Sequence, residues 1–293
     1  MERARTDLAL EARNEYMEKY AHAHKGEAEG VTFRERSESG VKISEIEILN
    51  AEGERAVGRA RGKYVTLEFG DITVADFPAF SSLCRLCARE LGALTRGVKS
   101  ALVCGIGNPK LSADELGPRA LEHVLITREL KNRAPEIFSA GGFCEVSGIA
   151  AGVGADTGFC AADIIRAAVK TAKPDVVIAI DALAARESGR LCKTLQLCTA
   201  GISPGSGVGN TRSRLDEQSV GAPVISLGVP TVVDIATLVR DTAGKEVAAE
   251  KFAGLFVCPA DIDAKSAKLS RLLGFAVNLA LHKGYSIEEM MLG

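Results

Sequence analysis

Two hundred and ninety-three residues suffice for one large domain or two small ones. Thirty-six Lys and Arg stand against 38 Asp and Glu, a formal net charge of −2, which excludes the broad basic field of a nucleic-acid binder. Nowhere do eighteen apolar residues run together, and four of the first seven residues are charged, so neither a transmembrane helix nor a secretory signal is expected and the chain reads as cytoplasmic.

The first thirty residues are charged and helix-prone, with His22 and His24 in a solvated run that ends at Gly30. Two strand-like stretches follow, Val41–Leu49 and Lys63–Phe69. In the second, Val65, Leu67 and Phe69 alternate with Tyr64, Thr66 and Glu68, the period of a half-buried strand. Asn50-Ala-Glu-Gly53 between them reads as a turn. Cys84 and Cys87 form a CxxC in a helix-like stretch. With no second pair or nearby histidines to complete a zinc site, they read as small hydrophobes on a helix face. The eight cysteines of a chain this long in a reducing compartment imply free thiols.

From Val98 short continuous apolar runs appear: Ala101–Ile106, Val176–Ile180, Val224–Leu227 and Leu255–Cys258. Strands covered on both faces have this composition, because neither side meets water. Between them lie helical patterns at Leu121, Val124 and Leu125, over Ala161–Thr171, and along Leu269, Leu272, Leu273, Ala276, Val277 and Ala280. Strand–helix alternation predicts a three-layer α/β/α sandwich with a mostly parallel central sheet, to which residues 8–97 add a helical and antiparallel β portion ahead of the 98–293 core.

Loops leaving the carboxyl ends of such strands collect the reacting groups. Two acids answer that rule. Cys104-Gly-Ile-Gly-Asn-Pro-Lys-Leu-Ser-Ala-Asp-Glu-Leu-Gly-Pro118 carries Asp114 from a strand into a helix, and Val176–Ile180 runs directly into Asp181. Alone, Asp114 could cap the following helix and Asp181 could pair with Arg186. Other chemistries fit less well. Gly105-Ile-Gly-Asn108 lacks the third glycine of a dinucleotide fingerprint, and Gly-Lys-Ser/Thr is absent, so no nucleotide cofactor is implied. Gly201-Ile-Ser-Pro-Gly205 matches GxSxG, yet Pro204 and a Gly/Ser loop follow where the elbow needs a helix. That loop, flanked by Arg212 and Arg214, suits an extended or acidic ligand.

Arg5-Thr-Asp-Leu-Ala-Leu-Glu-Ala12, Gly105-Ile-Gly-Asn108 with Asp114-Glu-Leu-Gly-Pro118, Ile180-Asp-Ala-Leu-Ala-Ala-Arg186, Pro204-Gly-Ser-Gly-Val-Gly-Asn210 and Leu227-Gly-Val-Pro-Thr-Val-Val-Asp234, in this order, resemble the germination proteases of spore-forming Firmicutes over nearly the whole chain. The resemblance implies a phosphorylase/hydrolase-like fold similar to hydrogenase maturation proteases. It implies an endopeptidase of aspartic type that degrades small acid-soluble spore proteins in the spore core during germination. Such an enzyme works as a homotetramer, is made as a zymogen, and has no cofactor, metal, nucleic-acid or membrane partner. The family's two essential aspartates fall on Asp114 and Asp181, the acids that the strand-end rule selects.

If these carboxyls meet, mutual repulsion leaves one proton shared between them, and the pair can activate a water against a peptide carbonyl. The family's cleavage sequence, hydroxyl–acid–apolar–small–any–acid and cut after the first acid, recurs here as Thr6-Asp-Leu-Ala-Leu-Glu11. Self-cleavage between Asp7 and Leu8, releasing residues 1–7 as a propeptide, is therefore expected, and Arg186, Arg212 and Arg214 are candidates to receive the acidic side chains. A hydrogenase-maturation-type endopeptidase, with His123 as the histidine nearest to the acids in sequence, and a catalytically silent peptide-binding protein are the rival readings.

Overall fold

The short apolar runs become the inner strands of one sheet in the computed structural model, which describes residues 6–20, 26–204, 214–243, 252 and 254–292. Its strands are β1 (Val31–Glu38), β2 (Val41–Ile48), β3 (Gly62–Glu68), β4 (Ser100–Ile106), β5 (Glu145–Gly152), β6 (Val176–Ala185), β7 (Thr194–Cys198), β8 (Val224–Asp234) and β9 (Phe256–Val257). The order across the sheet is β1-β2-β3-β7-β8-β6-β4-β5, with β9 beside the end of β8. The half β8-β6-β4-β5 is parallel. The half β1-β2-β3-β7-β8 is antiparallel, so the N-terminal strands continue the central sheet through β7.

Helices cover both faces. Ile178, Ile180, Ile225 and Leu227 pack against α3 (Phe77–Leu94), α4 (Leu116–Leu121) and the helix Ile262–Leu281, through Leu83, Leu116, Leu269 and Leu272. Val177 and Ala179, which alternate with them along β6, pack on the other face against Ile165 and Val169 of the helix Ala161–Ala172. This α/β/α layering is the expected architecture. Further along the second face lies α1 (Ala9–Tyr20), with the segment that leads into it.

Two local expectations need correction, and β1 has no counterpart among the expected strands. Asn50–Gly53 is not a turn: the Asn50 side chain accepts from Gly53 N at 2.9 Å and caps α2 (Ala51–Val57), which stops at Gly58 in the left-handed region (φ +71°). Leu255–Cys258 supplies only the two-residue β9, antiparallel to β8 and half-exposed, because it joins β8 beyond the covered centre of the sheet. The charged β1 shows no clear alternation and belongs to an edge with one neighbour, where charges protect an open strand. Cys84 and Cys87 are buried on α3, and burial pushes the Cys84 thiol up to about 12, against thiolate chemistry. No helix among the described residues is long and apolar enough to cross a membrane.

One buried titratable group has a stability consequence. His282, at the end of the helix Ile262–Leu281, is 3% exposed; its Nδ1 accepts from Cys144 N at 3.2 Å, and Phe143 and Tyr285 meet its ring edge-on. Burial holds its pKa below 6.5, and burial does the same for the half-buried His123. The unfolded chain therefore takes up these protons first, and stability falls as pH drops from about 6.5 toward the lower folded values, by at most about 1.4 kcal/mol per pH unit and group. Urea midpoints at pH 7.5 and 5.5 should differ less for His282→Gln than for the parent chain. An unchanged difference would remove His282 as a cause.

Candidate active site

Asp114 and Asp181 lie at the same carboxyl-terminal lip of the sheet. The β4–β6 ladder ends at Gly105↔Ile180, so Asp181 is the first residue of β6 beyond the reach of β4. Into that gap comes the start of α4. An ideal Cβ on Gly117 would stand 2.3 Å from both Ile106 O and Ile180 O, so only glycine allows the helix to seat on the two strand ends. Asp114 precedes Gly117 by three residues, at most about 11 Å of chain, and Gly117 abuts the peptide that leads into Asp181.

The Asp114 carboxylate accepts from Asn108 N at 2.8 Å, closing the 108–114 loop on itself, and Gly107 (φ +124°) provides the close approach to Asp114 O. Thr231 of β8 ties the same loop down, donating to Ala113 O at 2.6 Å. Asp114 is therefore not a helix cap: α4 begins after Glu115, whose side chain makes no capping bond. Asp181 is 3% exposed, and its Oδ1 accepts from Ala182 N at 2.9 Å.

The sheet sets up a second row of groups. Asp181 pairs with Gly228 of β8, and Gly228 pairs with Gln196 of β7. Paired residues point to one face, so Asp181 and Gln196 stand on the same side of the sheet two strand spacings apart, about 10 Å. Over this face lies the chain's own N-terminal segment. Asp7 N donates to Ala184 O at 2.8 Å, and Ala184 N donates to Asp7 Oδ2 at 2.9 Å. The Gln196 amide spans the Asp7–Leu8 bond: its Nε2 donates to Asp7 O at 3.2 Å and its Oε1 accepts from Ala9 N at 2.7 Å. Leu8 is fully buried against Leu183, Ala185, Leu191 and Val233.

Glu11, on the first turn of α1, has a fully buried side chain. Its carboxylate accepts from Arg186 N at 2.8 Å and Glu187 N at 3.0 Å, takes the Thr6 hydroxyl, and has Arg190 Nε 3.4 Å away. Burial raises the Glu11 pKa above 4.5, opposed by the bonds from Thr6, Arg186 N and Glu187 N. A cleft of about 160 Å³ opens beside Asp7, lined also by Arg59, Gln196, Ser203 and Arg214, and the Arg59 guanidinium donates to Thr6 O.

The three arginines singled out from charge alone have different placements. Arg186 meets the segment through its backbone N–H, while its guanidinium lies 4.0 Å from Glu15 on α1. Arg214 lines the cleft near Asp7, donates to Ala200 O at 2.6 Å and pairs with Asp216 at 3.2 Å. Arg212 and most of the Gly/Ser loop lie outside the described residues. Ser203, the GxSxG serine, follows Ile202, which forms an isolated bridge with Leu215, and no helix follows within residues 203–204. His123 packs edge-on against Phe275 under the helix Ile262–Leu281.

Comparison with known proteins adds the family. The germination protease family model matches residues 9–248. The germination protease of Clostridium tetani (strain Massachusetts / E88) is 36% identical over 98% of this chain and 98% of its own. The chain belongs to the germination protease family. It is therefore a peptidase. The germination protease of Priestia megaterium (strain ATCC 12872 / QMB1551) is 42% identical over 81% of this chain and 65% of its own length. Among solved structures, the [NiFe] hydrogenase maturation protease HycI from Thermococcus kodakarensis KOD1 aligns over 64% of this chain and 99% of its own, at 17% identity and a TM-score of 0.37.

Within this germination protease chain, the groups that hold the N-terminal segment were mostly not visible in sequence. Gln196 had one faint signal: it is the polar inward position of the alternating Thr194–Cys198 strand. Arg59 and Arg190 had none, since each meets the segment only through the fold.

Proposed function

We propose that this chain is a self-processing endopeptidase that cleaves small acid-soluble spore proteins after an acidic residue during germination, in the spore core, as a homotetramer. Asp114 and Asp181 share one proton. The ionised member takes a proton from water, which attacks the carbonyl carbon, while the protonated member polarises the carbonyl oxygen and later protonates the leaving amine. The chain's own Asp7–Leu8 bond is the first one cut, releasing residues 1–7.

One observation carries this reading: the Asp7 carbonyl is held by Gln196, in the sheet row that Asp181 begins, while the Asp114 loop closes on the same lip. Gln196 fixes the bond and draws electron density toward the carbonyl oxygen, the task of an oxyanion donor. The test is incubation of purified chain with a synthetic Thr-Glu-Ile-Ala-Ser-Glu peptide, with N-terminal sequencing of the chain itself. The reading expects a cut after the Glu of the peptide and a new N-terminus at Leu8. An uncut peptide, or fully active chain that still starts at Met1, would refute it.

A further inference from the structure

The outer two residues of the Thr6–Glu11 segment lie five apart in sequence, with the Asp7–Leu8 bond between them. An extended strand would hold them about 16 Å apart. Here they touch: the Thr6 hydroxyl donates to the Glu11 carboxylate and also accepts from Leu8 N at 3.0 Å. The backbone makes this possible by entering α1 at Ala9, which brings Glu11 round the first helical turn toward Thr6. The closed turn is then grasped from outside at both ends, by Arg186 N, Glu187 N and Arg190 at the carboxylate and by Arg59 at Thr6 O. The Gln196 amide grips the middle from either side of the Asp7–Leu8 bond.

We infer that the protein reads its peptide substrates as this closed turn: a hydroxyl one residue before the acid at the cut and a second acid four residues after the cut are recognised as one hydrogen-bonded pair seated on the Arg186 and Glu187 amides. This inference rests on the proposed function and deepens it, by giving the two outer positions of the cleavage sequence one joint role. A substrate lacking either partner loses the same closure. Removing the second partner then costs little more, because the turn is already open. A serine in place of Thr6 keeps the hydroxyl and keeps the turn.

The experiment is a double-mutant cycle on the full-length chain, in an Asp181→Asn background that leaves the N-terminus intact. Amide exchange at Ala9 is the readout, since Ala9 N is bonded to Gln196 and touches neither substituted side chain. Thr6→Val removes the hydroxyl; Glu11→Gln keeps the shape but turns an NH2 toward one of the two backbone donors. Each single change is expected to speed Ala9 exchange about tenfold, with Thr6→Ser near the parent. The double variant is expected within about threefold of the faster single. Unchanged exchange in either single variant, or a double that exceeds the faster single by more than about threefold, overturns the inference.

The same cycle in synthetic peptides, read as kcat/KM with processed protein, whose own Glu11 must leave the Arg186 and Glu187 amides to admit the peptide's second acid, should repeat the non-additivity. If the parent peptide is not cut at all, the proposed function fails, while the exchange cycle still decides whether the turn closes as a unit.

Discussion

Asparagine in place of Asp181 or Asp114 is expected to leave a folded chain whose peptide cleavage falls by about a thousandfold or more. Each carboxylate accepts a backbone bond that an amide oxygen can take over, from Ala182 N for Asp181 and from Asn108 N for Asp114. Urea midpoints of both variants should therefore lie within about 1 kcal/mol of the parent. What asparagine cannot do is carry the shared proton, so the loss should appear in kcat and in self-processing together. Single-turnover cleavage of the Thr-Glu-Ile-Ala-Ser-Glu peptide, followed by chromatography, separates the outcomes. Either variant within tenfold of the parent would remove that acid from the chemistry.

Gly117→Ala should cost the most stability for the smallest change, about 3 kcal/mol or more. The new methyl would have to occupy space 2.3 Å from two carbonyl oxygens and 2.5 Å from Ile106 N, all of them backbone at the ends of β4 and β6. Backbone of central strands cannot step aside as a flexible side chain can. Relief must come from α4, and α4 carries the Asp114 loop with it, so cleavage should fall with stability. Gly92→Ala is the control: that glycine lies in α3 with open space around its ideal Cβ. There the methyl should be neutral or stabilise by up to about 1 kcal/mol, through helix propensity and a less disordered unfolded chain. Thermal melts of the two variants test the contrast; a Gly117→Ala chain as stable as the parent would show that α4 does not bear on the strand ends.

Much of this was legible from composition and pattern alone. Val176–Ile180 and Val224–Leu227 read as strands covered on both faces, and the carboxylate straight after the first run singled out Asp181, although β6 continues to Ala185 and holds Asp181 inside it, at the point where its pairing with β4 stops. The 161–171 and 269–280 stretches carry the 3.6-residue period over several turns; the first became a helix within a residue of its expected bounds, and the second is the later part of a longer helix that begins at Ile262. Local signals failed where two devices share one sequence. Asn50-Ala-Glu-Gly53 suits a turn and a helix start equally, and the choice fell to the cap because the residues behind it could continue as α2. The charged β1 gave no period because, past Val31 and Phe33, its residues are mostly exposed on both faces of an edge strand paired only to β2.

The amino-acid sequence alone determined the layered α/β architecture, the two candidate acids and the hydroxyl–acid–apolar–small–any–acid order of residues 6–11, because hydrophobic period and residue chemistry are properties of a chain read one position at a time. Only the tertiary structure decided that Gln196 would straddle the Asp7–Leu8 bond, that Glu11 would be seated on the amides of Arg186 and Glu187, and that the Arg186 guanidinium would lie 4.0 Å from Glu15 on α1. The physical reason is sequence separation. Gln196 is 187 residues from Ala9, and no local preference encodes a contact that exists only once β6, β8 and β7 have lined up side by side.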